Sequence, residues 1–127
     1  MSKSELHERL KKYPVTYTWG GPRQCGTVGE GWHDLVINAV EKMIALGWDC
    51  KITQIKEKFG GLRFYITDKT PAIQKIAQDA ENESFSICES CGISNEDVKK
   101  SAGNGRWYKT FCIPCRNQYE AKRGLSE

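Results

Sequence analysis

Four of the six cysteines stand in two matched pairs, Cys88-Glu-Ser-Cys91 and Cys112-Ile-Pro-Cys115, with twenty residues between them. A two-residue gap lets two thiolates from one tight turn reach the same ion. Two such pairs complete a tetrahedral all-sulfur shell, which suits one Zn2+ ion. Iron also accepts soft sulfur ligands, so a rubredoxin-like centre is the chemical competitor. With four protein ligands the ion keeps no open position, and its expected role is structural. A single Cys-x-x-Cys would suggest thioredoxin-type redox chemistry, whereas two pairs argue for a metal. The remaining thiols, Cys25 and Cys50, stand alone.

Catalytic constellations are sparse. The zinc-deaminase pattern needs His-x-Glu followed by Pro-Cys-x-x-Cys, but His7 precedes Glu8 directly and Pro114 lies inside the second pair. His-Glu-x-x-His and the phosphate-binding G-x-x-x-x-G-K-[ST] are also missing. Neither His7 nor His33 falls in the cysteine-rich region, where a finger nuclease would need a histidine to activate water. Cys25, His33 and Asp34 lie around one glycine-rich loop, so a Cys–His nucleophile pair is conceivable. The plainer alternative is a buried loop thiol beside a surface histidine. Cys50, between Trp48 and Ile52, reads as a core thiol. Arg23 could draw an anion to the loop, which lacks the strand–G-x-G-x-x-G–helix context of a nucleotide site. The expectation is a protein that is not an enzyme.

Around the cysteines the sequence predicts a small fold. Gly92 after Cys91 suits a sharp knuckle. Asn104-Gly105 is a hairpin signal, followed by the β-favouring run from Trp107 to Phe111. After Cys115 comes a helix-forming run that Gly124 would stop. Cys112 and Cys115 would then sit at a helix start, where the dipole and free N–H groups favour thiolates. Knuckle, hairpin and ligands at a helix start are the treble-clef pattern. A zinc ribbon, the alternative, would usually repeat a glycine after the second pair.

The preceding residues read as an α+β unit. Ser2-x-x-Glu5 resembles a capping box, with Leu6 and Leu10 on one face of a short helix. Alternation of Tyr13, Val15, Tyr17 and Trp19 predicts a strand with one aromatic face. A loop over residues 20–31 follows. Trp32, Leu35, Val36, Ala39, Val40, Met43 and Ile44 keep helical spacing up to Gly47. Residues 51–58 and 62–67 read as an antiparallel hairpin around Phe59-Gly60-Gly61, with Leu62, Phe64 and Ile66 opposite Arg63 and Tyr65. Thr70-Pro71 opens a helix whose stripe is Ala72, Ile73, Ile76, Ala77 and Ala80. The expected organisation is an α+β unit over 1–84 and a treble-clef-like finger over 85–127, packed together because no linker separates them.

At 127 residues, 39% of them hydrophobic and 28% charged, the chain suits one globular domain or two very small ones. No apolar run is long enough for a transmembrane helix. The polar Met1-Ser-Lys-Ser-Glu start offers no secretory signal, so a cytoplasmic location and reduced thiols are expected, and the apolar content makes a disulfide framework unnecessary. The formal charge is +3. From Cys88 onward seven basic and five acidic residues leave +2, which four thiolates and a divalent ion bring to about zero. Nucleic-acid binding would therefore need local sorting of charge. Lys99, Lys100, Arg106 and Lys109 flank the hairpin, with Trp107 and Tyr108 able to stack. Other candidate recognition residues are Arg23, Lys56, Lys58, Arg63 and Tyr65.

Trp32-His-Asp-Leu, the run from Ile52 through Lys58-Phe-Gly-Gly-Leu-Arg-Phe-Tyr to Ile66, and Trp107-x-x-x-Phe-Cys-x-x-Cys together resemble a group of small phage and prophage proteins. These carry a K-F-G-x-L-R-F-Y motif ahead of a cysteine-pair finger, and the likeness spans roughly residues 24 to 116. It implies viral origin and action in a bacterial cytoplasm, without implying a reaction. The finger is also similar to that of the DksA/TraR type of transcription regulator, but the coiled coil of those regulators has no counterpart here. The resulting expectation is a non-enzymatic phage accessory protein that binds a host protein of a defence system or the transcription machinery. The alternative is a nucleic-acid-binding regulator that acts through the finger hairpin.

Overall fold

The structure, a computed structural model, describes residues 4–21, 28–58, 60–101 and 109–122. Its architecture is α+β, with a small mixed sheet beside the helices and a C-terminal cysteine cluster. Helix α1 (Ser4–Leu10) leads to β1 (Thr16–Tyr17). A 3-10 turn (Glu30–Trp32) runs into α2 (His33–Ala45). Strands β2 (Lys51–Lys58) and β3 (Gly61–Ile66) precede α3 (Pro71–Ser84). Last come β4 (Lys99–Ser101), β5 (Lys109–Phe111) and α4 (Ile113–Lys122).

The stripe on α2 becomes the centre of the core. Trp32, Val36, Val40 and Met43 are fully buried, and Leu35 and Ala39 nearly so. Removing such side chains from water stabilises the fold by about 1.5–3 kcal/mol each for the larger ones. Leu6 and Leu10 of α1 pack into the same cluster, whereas the proposed capping box falls outside the described side chains. At its end α2 turns through Gly47 at φ +88°. There the Gly47 N–H donates to the Ile44 carbonyl and the Trp48 N–H to the Met43 carbonyl, a Schellman closure that brings buried Trp48 back over Met43.

The sheet order is β1-β2-β3. β2 and β3 pair antiparallel, as the hairpin reading requires, but β1 runs parallel to β2. The reason is the connection: α2 lies between them in sequence, and a helical crossover returns the chain in the same direction. β1 is also shorter than the alternation over residues 13–19 suggests. Thr16 and Thr18 donate to the Cys50 and Ile52 carbonyls, while Trp19 is 57% exposed, so no continuous aromatic face forms. In β2 the register shifts between Ile52 and Gln54, which turns both Ile52 and Ile55 inward. Simple alternation cannot place two buried residues three apart; the bulge does.

Helix α3 packs on β3 and against α2. Ile73, Ala77 and Ala80 are buried, as the stripe predicts, but Ala72 is exposed. Pro71 holds the first turn and Thr70 the N-cap position, yet the Thr70 side chain makes no capping bond. Its N–H instead donates to the Asp68 carboxylate at 2.9 Å. Cys50 is a half-buried thiol against the core. It sits just before β2 at φ +64°, in the left-handed region, and donates to the Trp48 carbonyl.

Candidate metal centre

Cys88 and Cys91 lie on a tight turn that follows α3. Gly92 at φ +86° completes that turn, with its N–H on the Cys88 carbonyl, and the Cys88 N–H donates to the Ile93 carbonyl. A Cβ is disfavoured at this φ, which is why the residue after the pair is glycine. The chain then enters β4 and returns along β5, with Lys99 opposite Phe111 and Ser101 opposite Lys109. Cys112 follows β5 directly, and its carbonyl accepts the Arg116 N–H as the first turn of α4 closes. Cys115 is the third residue of that helix. The Asn104-Gly105 turn, Arg106 and Trp107 lie outside the described residues, as does the helix stop expected at Gly124.

The four sulfur atoms all lie within 4.8 Å of one another. Cys91 Sγ and Cys112 Sγ are 3.7 Å apart. Sulfurs bound at about 2.3 Å to a tetrahedral ion would be separated by about 3.8 Å, so the donor set has the size of a metal shell. Its electrostatics agree. Burial opposes the Cys88 thiolate, but the N–H groups of Cys112, Cys91 and Ser90 outweigh it and bring the pKa down to about 7. Burial and then the neighbouring sulfurs of Cys112, Cys91 and Cys88 push Cys115 up to about 12. The Ile93 N–H and the Cys115 sulfur favour the Cys91 thiolate, yet burial and the sulfurs of Cys88 and Cys112 prevail and raise that group as well. Four sulfurs this close resist full ionisation until a cation sits among them, so the cluster could hold a metal ion.

The knuckle is tied to the core at several points. Gly31 donates to the Glu89 carbonyl at 2.9 Å, and Trp32 Nε1 to the Ile87 carbonyl at 2.8 Å. A Cβ on Gly31 would stand 2.1 Å from the Cys88 carbonyl oxygen, and one on Gly29 would stand 2.2 Å from that of Glu89. Glu89 is itself buried. Its N–H donates to the Thr110 carbonyl and its carboxylate accepts the Thr110 N–H at 2.8 Å. The Thr110 hydroxyl donates to the Gly60 carbonyl, and Gly60 donates to Glu57. Lys109 closes the ring, 3.1 Å from Glu57 and 3.6 Å from Glu89. Burial pushes the Glu89 carboxyl up to about 7 against the pull of Thr110 and Lys109. Burial also disfavours the Lys109 ammonium, but Glu89 and Glu57 prevail and raise its pKa.

The expected recognition residues are dispersed. Lys99 is exposed on β4, where its carbonyl accepts a bond from Arg116; the Lys100 side chain and Arg23 lie outside the described set. Lys109 faces inward to two carboxylates. Arg63 bonds to Glu81 on α3 at 2.9 Å, and Tyr65 is 42% exposed. His33 is buried rather than on the surface, because the 3-10 turn rotates the start of α2 into the core, and Cys25 lies outside the described residues. Sequence reasoning missed Glu89, Thr110 and Glu57. Nothing local marks a glutamate between two ligands as buried; only the close glycines at 29 and 31 hint that backbone packs there.

Fold and site thus define an α+β chain with a four-cysteine cluster suited to a metal. No known family, curated protein or solved structure matches it. No helix among the described residues is long and apolar enough to cross a membrane.

Proposed function

We propose that the chain is a non-enzymatic accessory protein that binds and modulates a host protein in the bacterial cytoplasm, stapled by one structural Zn2+ on Cys88, Cys91, Cys112 and Cys115 in a treble-clef arrangement. The observation that carries this reading is the clustering of four cysteines, from a knuckle and a helix start, with their sulfurs within 4.8 Å of one another, a spacing compatible with a metal shell. Such a shell suits Zn2+ and leaves the ion no position for a substrate. The resemblance to small phage proteins supports a host protein in a defence system or the transcription machinery as the target. The inward pairing of Lys109 weighs against the finger hairpin as a phosphate-binding surface. The test is affinity capture from infected cells with mass spectrometry, with and without nuclease. One host protein recovered equally in both samples is the expected result. Recovery of nucleic acid, with the protein catch lost on nuclease treatment, would overturn it.

A further inference from the structure

We propose that Cys91 is the point at which a hydroperoxide oxidises the cysteine cluster, and that the disulfide formed there releases the metal and loosens α4. The inference rests on the metal-staple part of the reading above. Both pairs divide in the same way: Cys88 and Cys112 are buried, whereas Cys91 is exposed and Cys115 half-buried. The backbone explains the division. Cys88 lies where the knuckle leaves the core, next to Glu89, whose N–H and carboxylate are both bonded to Thr110. Cys112 directly follows β5, which Thr110 ties to the Gly60 carbonyl. Cys91 stands at the tip instead, in a run from Ser90 to Asp97 that is exposed throughout. Among Cys88, Cys91 and Cys115, the Cys91 side chain is the least surrounded by protein.

Thiolate sulfur is what peroxides oxidise, and access decides which thiolate reacts first. Two features turn the exposure of Cys91 into a switch. The first is a second sulfur within reach. Cys112 Sγ is 3.7 Å from Cys91 Sγ. A disulfide needs about 2 Å, so a shift of under about 2 Å in the exposed tip closes the bond. In the first step the peroxide O–O bond breaks, Cys91 becomes a sulfenic acid and one water leaves. The Cys112 sulfur then displaces the sulfenic oxygen as a second water. In sum, two thiolates, one hydrogen peroxide and two protons give one disulfide and two waters. Two of the four donors are thereby withdrawn from the metal.

The second feature is what the metal holds together. The C-terminal core consists of Cys88, Val98, Phe111 and Cys112, with Cys115 and Tyr119 packed against it. Three of those six residues are proposed ligands, so this small core is largely the metal site itself. Helix α4 adds only Cys115 and the Tyr119 ring, whose centre is 5.2 Å from that of Phe111. The main core, built on α2, β2, β3 and α3, contains none of the four cysteines. Oxidation therefore loosens α4 and leaves the larger unit folded.

The experiment treats the full, zinc-loaded chain with hydrogen peroxide, on a Cys25→Ser, Cys50→Ser background that removes the two separate thiols. A chromogenic chelator reads metal release, and peptide mass spectrometry after alkylation reads which sulfurs are oxidised. At substoichiometric peroxide, Cys91 should be the first thiol lost and should appear in a disulfide with Cys112. Hydrogen exchange should rise in α4 and stay unchanged in α2, and a dithiol reductant with added zinc should reverse both. Cys91→His keeps a zinc ligand but removes the entry sulfur, so metal release should slow about tenfold or more. Cys115→His, which retains Cys91, should release metal at close to the parental rate. Native mass spectrometry establishes that each variant binds one zinc; where one does not, the order of oxidation in the parent decides. A disulfide that omits Cys91, equal slowing by both histidine variants, or exchange rising in α2 together with α4 would refute the switch. Zinc that stays bound under excess peroxide would also refute it while leaving the structural metal intact. A chain that binds no zinc at all would instead overturn the metal-staple reading.

Discussion

Gly31→Ala isolates the contact between the metal knuckle and the core. The added methyl would lie 2.1 Å from the Cys88 carbonyl oxygen and 2.5 Å from the Gly92 nitrogen, both backbone atoms that no rotamer change can move. A carbon–oxygen contact needs about 3.3 Å, so the knuckle must retreat by roughly 1 Å. That retreat breaks or lengthens the Gly31–Glu89 and Trp32–Ile87 hydrogen bonds, at about 1 kcal/mol each. Overpacking adds about 1–3 kcal/mol, for a total of about 3–5 kcal/mol. Gly47→Ala is the internal control. It sits at φ +88° with nothing within 4 Å of the place its methyl would take, so only backbone strain of about 1 kcal/mol is expected. Urea unfolding at saturating zinc, followed by tryptophan fluorescence, compares the two. With a slope of about 2 kcal/mol per M, the Gly31 variant should unfold about 2 M earlier than wild type and the Gly47 variant about 0.5 M earlier. Equal, small shifts for both would refute the claim that the knuckle is locked against residues 29–32.

Cys88→Ser or Cys112→Ser should abolish stoichiometric metal binding and destabilise the C-terminal region, read by metal analysis and by hydrogen exchange at β4 and β5. Preparations that bind no metal in wild type, under non-chelating conditions, would contradict this. Thr110→Val keeps the shape of the side chain but removes the hydroxyl on the Gly60 carbonyl, so about 1–2 kcal/mol of stability should be lost in chemical denaturation. Asp68→Asn tests a pH effect. The Thr70 N–H on its carboxylate holds the Asp68 pKa below the ordinary value of 3.8. The stabilisation from that bond is therefore present above the unfolded pKa and lost as pH falls through the lower folded one. The stability gap between wild type and Asp68→Asn should close as pH falls below the ordinary carboxylate range; a gap independent of pH would disprove the assignment.

Much of the candidate site was legible because ligand chemistry is local. A two-residue gap between cysteines, a glycine after the first pair and helix-forming residues after the second are properties of short segments, and they predict a knuckle and a helix start before any tertiary contact is known. The spacing from Trp32 to Ile44, with glycine at 47, predicted α2 and its end for the same reason. Elements that depend on distant partners were not legible in this way. The parallel pairing of β1 follows from the route of the crossover, and the burial of both Ile52 and Ile55 follows from a bulge set by β3. Ala72 falls outside the stripe because packing on β3 and α2 selects which part of α3 is covered.

By itself the sequence determined the four paired cysteines, the sulfur chemistry they offer a metal and the two main helical stripes. Only the tertiary structure decided that the Glu89 carboxylate turns inward and that Lys109 is held between two acids. The physical reason is range. Covalent spacing fixes what neighbours along the chain can chelate or bury, whereas the fate of a charge depends on which groups the fold brings near it, here from residues about twenty to fifty positions away.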